Sequence, residues 1–83
     1  MSSNQKISYT NKTHSTITVV LEPWAEEYSL CPGERVDIEV RNGSERGYLE
    51  LEQTTDAMII YSWEGTTVSI MRDGKELTPN SQR

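Results

Sequence analysis

The stretch RVDIEVR at residues 35–41 decides the fold class, because its apolar and charged residues alternate without interruption. Val36, Ile38 and Val40 share one side of an extended chain, and the charged residues share the other side. Unbroken alternation of this kind predicts a half-buried β-strand with one face in water, as is typical of antiparallel sheets.

The same period of two recurs along the chain in the segments ITVVL (17–21), YLELE (48–52) and VSIM (68–71), and the segment AMIIYSW (57–63) is a further strand-like run. We expect Leu49 and Leu51 to point inward. The segment 57–63 is apolar on both faces, which predicts a central strand covered on each side. Pro32-Gly33 predicts a type II turn, and Asp73-Gly74 predicts a type I′ turn between two strands.

Turn signals recur about every ten residues and no helical period is present, which predicts an all-β protein. The expected architecture is a single small antiparallel β-sandwich or barrel of six to eight short strands. We expect one domain over residues 1–83, with residues 1–5 and 79–83 frayed because both ends are polar.

The net charge of −5 argues against nonspecific binding to nucleic acid or to an anionic membrane, since both need basic surfaces. Residues 22–64 contain eleven carboxylates and three arginines, so the negative charge is concentrated in the middle of the chain. The start of the sequence lacks the apolar core of a signal peptide, and no run of residues is long and apolar enough for a membrane helix. We therefore expect a cytoplasmic protein with a reduced thiol.

Metal and catalytic sites are poorly supported by the residue inventory. Cys31 and His14 are the only cysteine and histidine, which is too few soft ligands for a copper or zinc site. Four glutamates in residues 22–34 suit a solvated acidic surface better than a calcium site, because no calcium-loop motif is present. A nucleophile would need an activating base, and there is no glycine-rich phosphate loop. We expect no enzymatic activity, no metal and no cofactor.

The stretch EPWAEEYSLCPGE at residues 22–34 places an aromatic beside carboxylates between two prolines. We interpret it as a strand end, a connection and a short strand over residues 27–30, with Trp24 and Tyr28 capping one end of the core. The pattern resembles a signature of small uncharacterised bacterial all-β proteins. The matching residues are Glu22, Pro23, Trp24, Glu26, Glu27, Tyr28, Leu30, Pro32, Gly33 and Glu34. The resemblance implies a small all-β fold and no particular activity.

The aromatic residues are two tryptophans and four tyrosines, with no phenylalanine. Each has a polar group, which suits positions that are half buried and half wet. We expect the binding residues to be Trp24, Glu26, Glu27, Tyr28, Tyr61 and Trp63. The leading hypothesis is a noncatalytic interaction module that binds a protein partner, with a basic surface, through an acidic face.

Three alternatives remain open from the sequence. The aromatic residues could form a platform for a carbohydrate or another small molecule. The protein could instead associate with itself through an exposed sheet edge, or serve as a structural subunit without a specific ligand.

Overall fold

A computed structural model of the protein describes residues 4–80, which form eight β-strands and no helix. The strands are β1 (Gln5–Thr10), β2 (Ile17–Glu22), β3 (Glu26–Leu30), β4 (Arg35–Asn42), β5 (Glu50–Gln53), β6 (Ala57–Tyr61), β7 (Thr66–Arg72) and β8 (Lys75–Glu76). Over this part of the chain, no helical segment has the length and apolar character needed to cross a membrane.

The strands form two four-stranded sheets that pack face to face. The first sheet has the order β1-β4-β7-β8, and the second has the order β3-β2-β6-β5. This arrangement confirms the predicted small all-β sandwich. The hairpins β2–β3, β5–β6 and β7–β8 each stay within one sheet, whereas the remaining connections carry the chain from one sheet to the other.

One strand pair departs from the predicted antiparallel arrangement. β2 and β6 are paired in parallel, with Val20 opposite Ile59 and Glu22 opposite Tyr61. Parallel neighbours need a long connection, and β3, β4 and β5 lie between β2 and β6 in the chain. The alternation of residues predicts each strand but carries no information about its direction relative to a distant partner.

The core lies between the two sheets and is built from alternate residues of five strands. In β4, Val36, Ile38 and Val40 are almost completely buried, as the alternation predicts. Full burial of each such side chain stabilises the fold by about 1.5–3 kcal/mol. The whole set comprises Ile17, Val19, Leu21, Tyr28, Leu30, Val36, Ile38, Val40, Met58, Ile60, Val68 and Ile70.

The inward direction predicted for both leucines of the 48–52 segment does not give them equal burial. Leu49 packs against the core, but Leu51 is 50% exposed. Leu51 lies opposite the buried Ile60, so its orientation agrees with the alternation. Its strand is at the edge of the second sheet, and all four residues of that strand are exposed.

The prediction that β6 is covered on both sides is wrong. This strand does lie inside the second sheet, but its outward residues Ala57, Ile59 and Tyr61 are only half buried.

The backbone conformations of the predicted turns agree with their sequences. Gly33 has a φ of 84° and the Glu34 amide donates to the Cys31 carbonyl at 3.0 Å, as in a type II turn. Asp73 and Gly74 have φ values of 53° and 78°, as a type I′ turn requires.

The polypeptide after β8 crosses from the first sheet to the second. The Leu77 amide donates to the Ile70 carbonyl of β7 at 2.8 Å, and the Asn80 amide donates to the Glu27 carbonyl of β3 at 2.6 Å. At the other end of the described chain, Gln5 lies opposite Val40 in β1. Gln5 and Asn80 therefore have ordered partners, contrary to the predicted fraying, and residues 1–3 and 81–83 lie outside the described part of the chain.

Asn11 is 1% exposed and fixes the connection between β1 and β2. Its Nδ2 donates to the carbonyl oxygens of Ser15 and Leu30, each at 2.8 Å, and its Oδ1 accepts from the backbone amide of Thr13 at 2.9 Å. The Asn11 side chain thus joins the β1–β2 loop to the end of β3 in the second sheet.

We predict that Asn11→Ala lowers the free energy of unfolding by roughly 2–4 kcal/mol, because the Leu30 carbonyl loses its Asn11 donor and the Thr13 amide loses its Asn11 acceptor. Urea denaturation followed by tryptophan fluorescence measures the change. Lys12→Ala is the control, since Lys12 is an exposed neighbour of Asn11 in the same loop. Equal effects of the two substitutions would contradict the central role of Asn11.

Candidate functional site

The six residues predicted to bind a partner lie in four separate places on the sandwich. Tyr28 belongs to the core, Trp24 and Glu26 line a groove, Trp63 lies in a cleft, and Glu27 and Tyr61 lie on the outer face of the second sheet. The single aromatic platform that the sequence suggested is therefore divided.

Tyr28 and Glu26 form a pair at the inner side of β3. Tyr28 is only 6% exposed and belongs to the core. Its hydroxyl donates to Glu26 Oε1 at 3.1 Å. Burial, followed by the nearby negative charge of Glu26, raises the pKa of Tyr28 to about 12. Tyr28 therefore stays protonated and serves as a hydrogen-bond donor to Glu26 over the physiological pH range.

Trp24 does not cap the core, contrary to the prediction, because it is 48% exposed. It lies in the turn between β2 and β3 and lines a groove of about 430 Å³, which we call the Trp24 groove. The other residues of this groove are Glu26, Arg41, Thr66, Thr67, Val68, Ser69 and Glu76. Aromatic type and position between two prolines do not distinguish a core tryptophan from a surface one.

Trp63 lies in a different cavity, a cleft of about 300 Å³ that we call the Trp63 cleft. Its indole Nε1 donates to the Ser44 carbonyl at 3.0 Å. A Cβ atom at Gly47 would overlap the indole, so the loop can pack on this ring only with glycine at that position. Tyr48 lines the same cleft and is 74% exposed. Tyr48 is not among the residues that the sequence predicts to bind a partner.

The outer face of the second sheet combines an apolar centre with an acidic border. Val20 and Ile59 are half buried and lie opposite each other, with Glu27 beside Val20 and Glu52 beside Ile59. In the next row, Tyr61 lies between Glu22 and Glu50. Opposed residues of neighbouring strands have their side chains on the same face. We call this set of seven residues the acidic face.

Charge is unequally divided between the two sheets. The strands of the second sheet contain five carboxylates, namely Glu22, Glu26, Glu27, Glu50 and Glu52, and no lysine or arginine. The strands of the first sheet contain five basic and three acidic residues, a net charge of +2. The negative charge seen in the middle of the sequence is therefore largely a property of one sheet.

Tyr61 is linked to the border of the acidic face. Its hydroxyl donates to Glu52 Oε1 at 2.8 Å. This hydrogen bond, together with desolvation and the surrounding carboxylates, raises the pKa of Tyr61 above its usual value. The bond also orients the Glu52 carboxylate beside the apolar centre.

Sequence reasoning missed Val20, Glu22, Glu50, Glu52 and Ile59 as candidate residues. The strand period of β2, β5 and β6 contained part of the signal, because successive side chains of a strand point to opposite faces and these residues therefore point away from the core. The missing information was the pairing of β6 with both β2 and β5.

The Pro32-Gly33 turn carries a further charged group, Glu34. Its carboxylate accepts a hydrogen bond from the Cys31 amide at 2.7 Å, which, with Arg72 3.5 Å away, holds the pKa of Glu34 below its usual value. Cys31 itself is exposed. Within residues 4–80, no cluster of three or more histidine, cysteine or acidic side chains is arranged to hold a metal ion.

Comparison with known proteins yields no relative for this chain. No protein-family model matches it, and no curated protein or solved structure shows significant similarity to it.

We predict that Trp24→Ala lowers the free energy of unfolding by roughly 1.5–2.5 kcal/mol, about half the cost for a fully buried tryptophan, because half of its side chain is already in water. Tyr28→Ala is the buried comparison and is expected to cost roughly 3–5 kcal/mol. Urea denaturation of both variants measures the difference. A Trp24→Ala cost equal to that of Tyr28→Ala would contradict the surface position of Trp24.

Proposed function

We propose that this protein is a noncatalytic interaction module whose acidic face binds a protein partner with a basic surface. The observation that carries the proposal is the composition of the acidic face. Four carboxylates surround Val20, Ile59 and Tyr61, and no strand of that sheet supplies a positive charge.

The acidic face resembles a protein interface in its arrangement. Removing Val20 and Ile59 from water supplies the apolar contribution to binding, and a tyrosine is among the residues that most often dominate interface energetics. The surrounding carboxylates accelerate association with a basic partner and disfavour acidic ones.

A second copy of the chain is a poor partner for this face. Two acidic faces brought together would oppose carboxylates to carboxylates, and such like-charge contacts cost several kcal/mol. The charge distribution thus favours a different protein with lysine or arginine around an apolar contact.

The test compares three forms of the protein as bait in a lysate. The double variant Glu27→Lys, Glu52→Lys reverses two charges on either side of the Val20–Ile59 pair. The control Glu45→Lys, Glu64→Lys changes the net charge equally at two exposed loop positions outside the acidic face.

We expect the native protein to retain a partner at roughly 0.05 M salt and to release it at roughly 0.5 M, where surface charges are strongly screened. The acidic-face variant should bind that partner on the order of tenfold more weakly or worse, and the control should bind nearly as well as the native protein. Absence of a specific partner, or equal loss in both variants, would contradict the proposal.

A small-molecule or carbohydrate site in the Trp63 cleft is the second candidate function. Its supporting observation is the pairing of an anchored indole with the highly exposed Tyr48 in one cavity. Aromatic faces of this kind stack on apolar ring surfaces, whereas backbone groups of the loop provide polar contacts.

We predict that titration with a panel of mono- and disaccharides shifts the NMR signal of the Trp63 indole N–H if this second function is correct. Tyr48→Ala should weaken the interaction by about 0.5–1.5 kcal/mol without altering stability, since Tyr48 is largely in water. An unchanged indole signal throughout the panel would argue against a sugar site.

A further inference from the structure

The free edge of β7 is the feature from which we draw a further inference. On one side, β7 is paired with β4 from Thr66 to Met71. On its other side, β8 is paired only with Met71 and Arg72, and the Leu77 amide adds one bond to the Ile70 carbonyl. Within the described residues, the pairing with β8 therefore stops before residues 66–69.

The direction of the backbone groups follows from the Leu77 bond. The Ile70 carbonyl points toward β8, and in an antiparallel sheet the N–H and C=O groups of a residue point to the same side and alternate along the strand. The N–H and C=O groups of Val68 therefore point to the free edge, whereas those of Thr67 and Ser69 point to β4. A sheet edge of this kind can pair with another extended chain.

The Trp24 groove lies along this edge. Its lining includes the four consecutive residues Thr66, Thr67, Val68 and Ser69. Consecutive residues of a strand have side chains on opposite faces, so a cavity lined by all four follows the backbone edge rather than one face. β8 occupies the continuation of this edge, which demonstrates that the edge accepts an antiparallel strand.

The groove also has a defined side-chain environment. Trp24 and Glu26 lie on the side of β3, and Glu76 lies on the side of β8. The one basic residue of the lining, Arg41, already donates to the Ser69 hydroxyl at 2.8 Å. A lysine or arginine side chain fits Trp24 and Glu26 together, because its stem covers the indole and its charged group reaches the carboxylate.

We propose that the β7 edge in the Trp24 groove binds an extended peptide segment of another protein, added as a strand beside Val68 with a lysine or arginine directed at Trp24 and Glu26. Main-chain hydrogen bonds provide the affinity in this type of recognition, and the side-chain environment provides the specificity. This surface is distinct from the acidic face, since Glu26 and Glu27 point to opposite sides of β3.

The probe is a capped seven-residue peptide, Thr-Val-Thr-Lys-Thr-Val-Thr. A second peptide, in which glutamate replaces the central lysine, is the control. Two further versions of the lysine peptide carry N-methyl groups on the backbone nitrogens of alternate residues. In each version the methyl groups block a different edge of the peptide strand. A strand presents one edge to β7, so methylation of that edge abolishes binding and methylation of the other edge is tolerated.

Hydrogen exchange and NMR on the full chain measure binding. In the free protein, the Val68 amide should exchange faster than the amides of Thr67 and Ser69. At a peptide concentration ten times the dissociation constant, exchange of the Val68 amide should slow on the order of tenfold. Glu26→Gln should weaken binding of the lysine peptide by about two- to fivefold. The glutamate peptide should bind to the native protein more weakly than the lysine peptide does.

The matched control is Glu27→Gln, which changes the net charge equally on the other side of β3 and should leave peptide binding unchanged. The melting temperature of each variant checks that it folds. The proposal would be overturned if both methylated versions bound equally well or if no peptide bound. It would also be overturned if the NMR chemical-shift changes lay at residues away from the groove. Protection of Val68 in a dimer without peptide would also overturn it, because the edge would then belong to a second copy of the chain.

Discussion

The parallel pairing of β2 with β6 is the constraint on which the arrangement of surfaces depends. It places Glu22 beside Tyr61, so the turn with Trp24 and the loop with Trp63 leave the second sheet at the same end. An antiparallel pair would place these two connections at opposite ends. The same pairing sets Val20 against Ile59 and so creates the apolar centre of the acidic face.

Much of the fold follows from local sequence. The alternation of β4 predicts its buried and exposed sides, because a strand with one wet face selects opposite residue types at neighbouring positions. The turns at Gly33 and Gly74 are predictable because glycine adopts positive φ without a steric cost. Sheet order and strand direction are not predictable in this way, since they depend on contacts between residues that are distant in the chain.

The candidate sites were predicted less well, and the reason is physical. Trp24 and Tyr28 have similar local surroundings in the sequence, yet Tyr28 is directed between the sheets and Trp24 lies in a turn beyond the end of a strand. Glu26 and Glu27 are adjacent and alike in charge, but the alternation of β3 sends them to different surfaces. Residue type indicated which side chains suit binding, and only the strand pairing determined which of them act together.

The unequal charge of the two sheets has a consequence for motion in solution. A negative second sheet packed on a positive first sheet gives the molecule an electric dipole directed across the sandwich. In the field of a basic object, the resulting torque rotates the protein so that its second sheet leads the approach. The orientation in which the protein meets such an object is thus biased before any atoms touch.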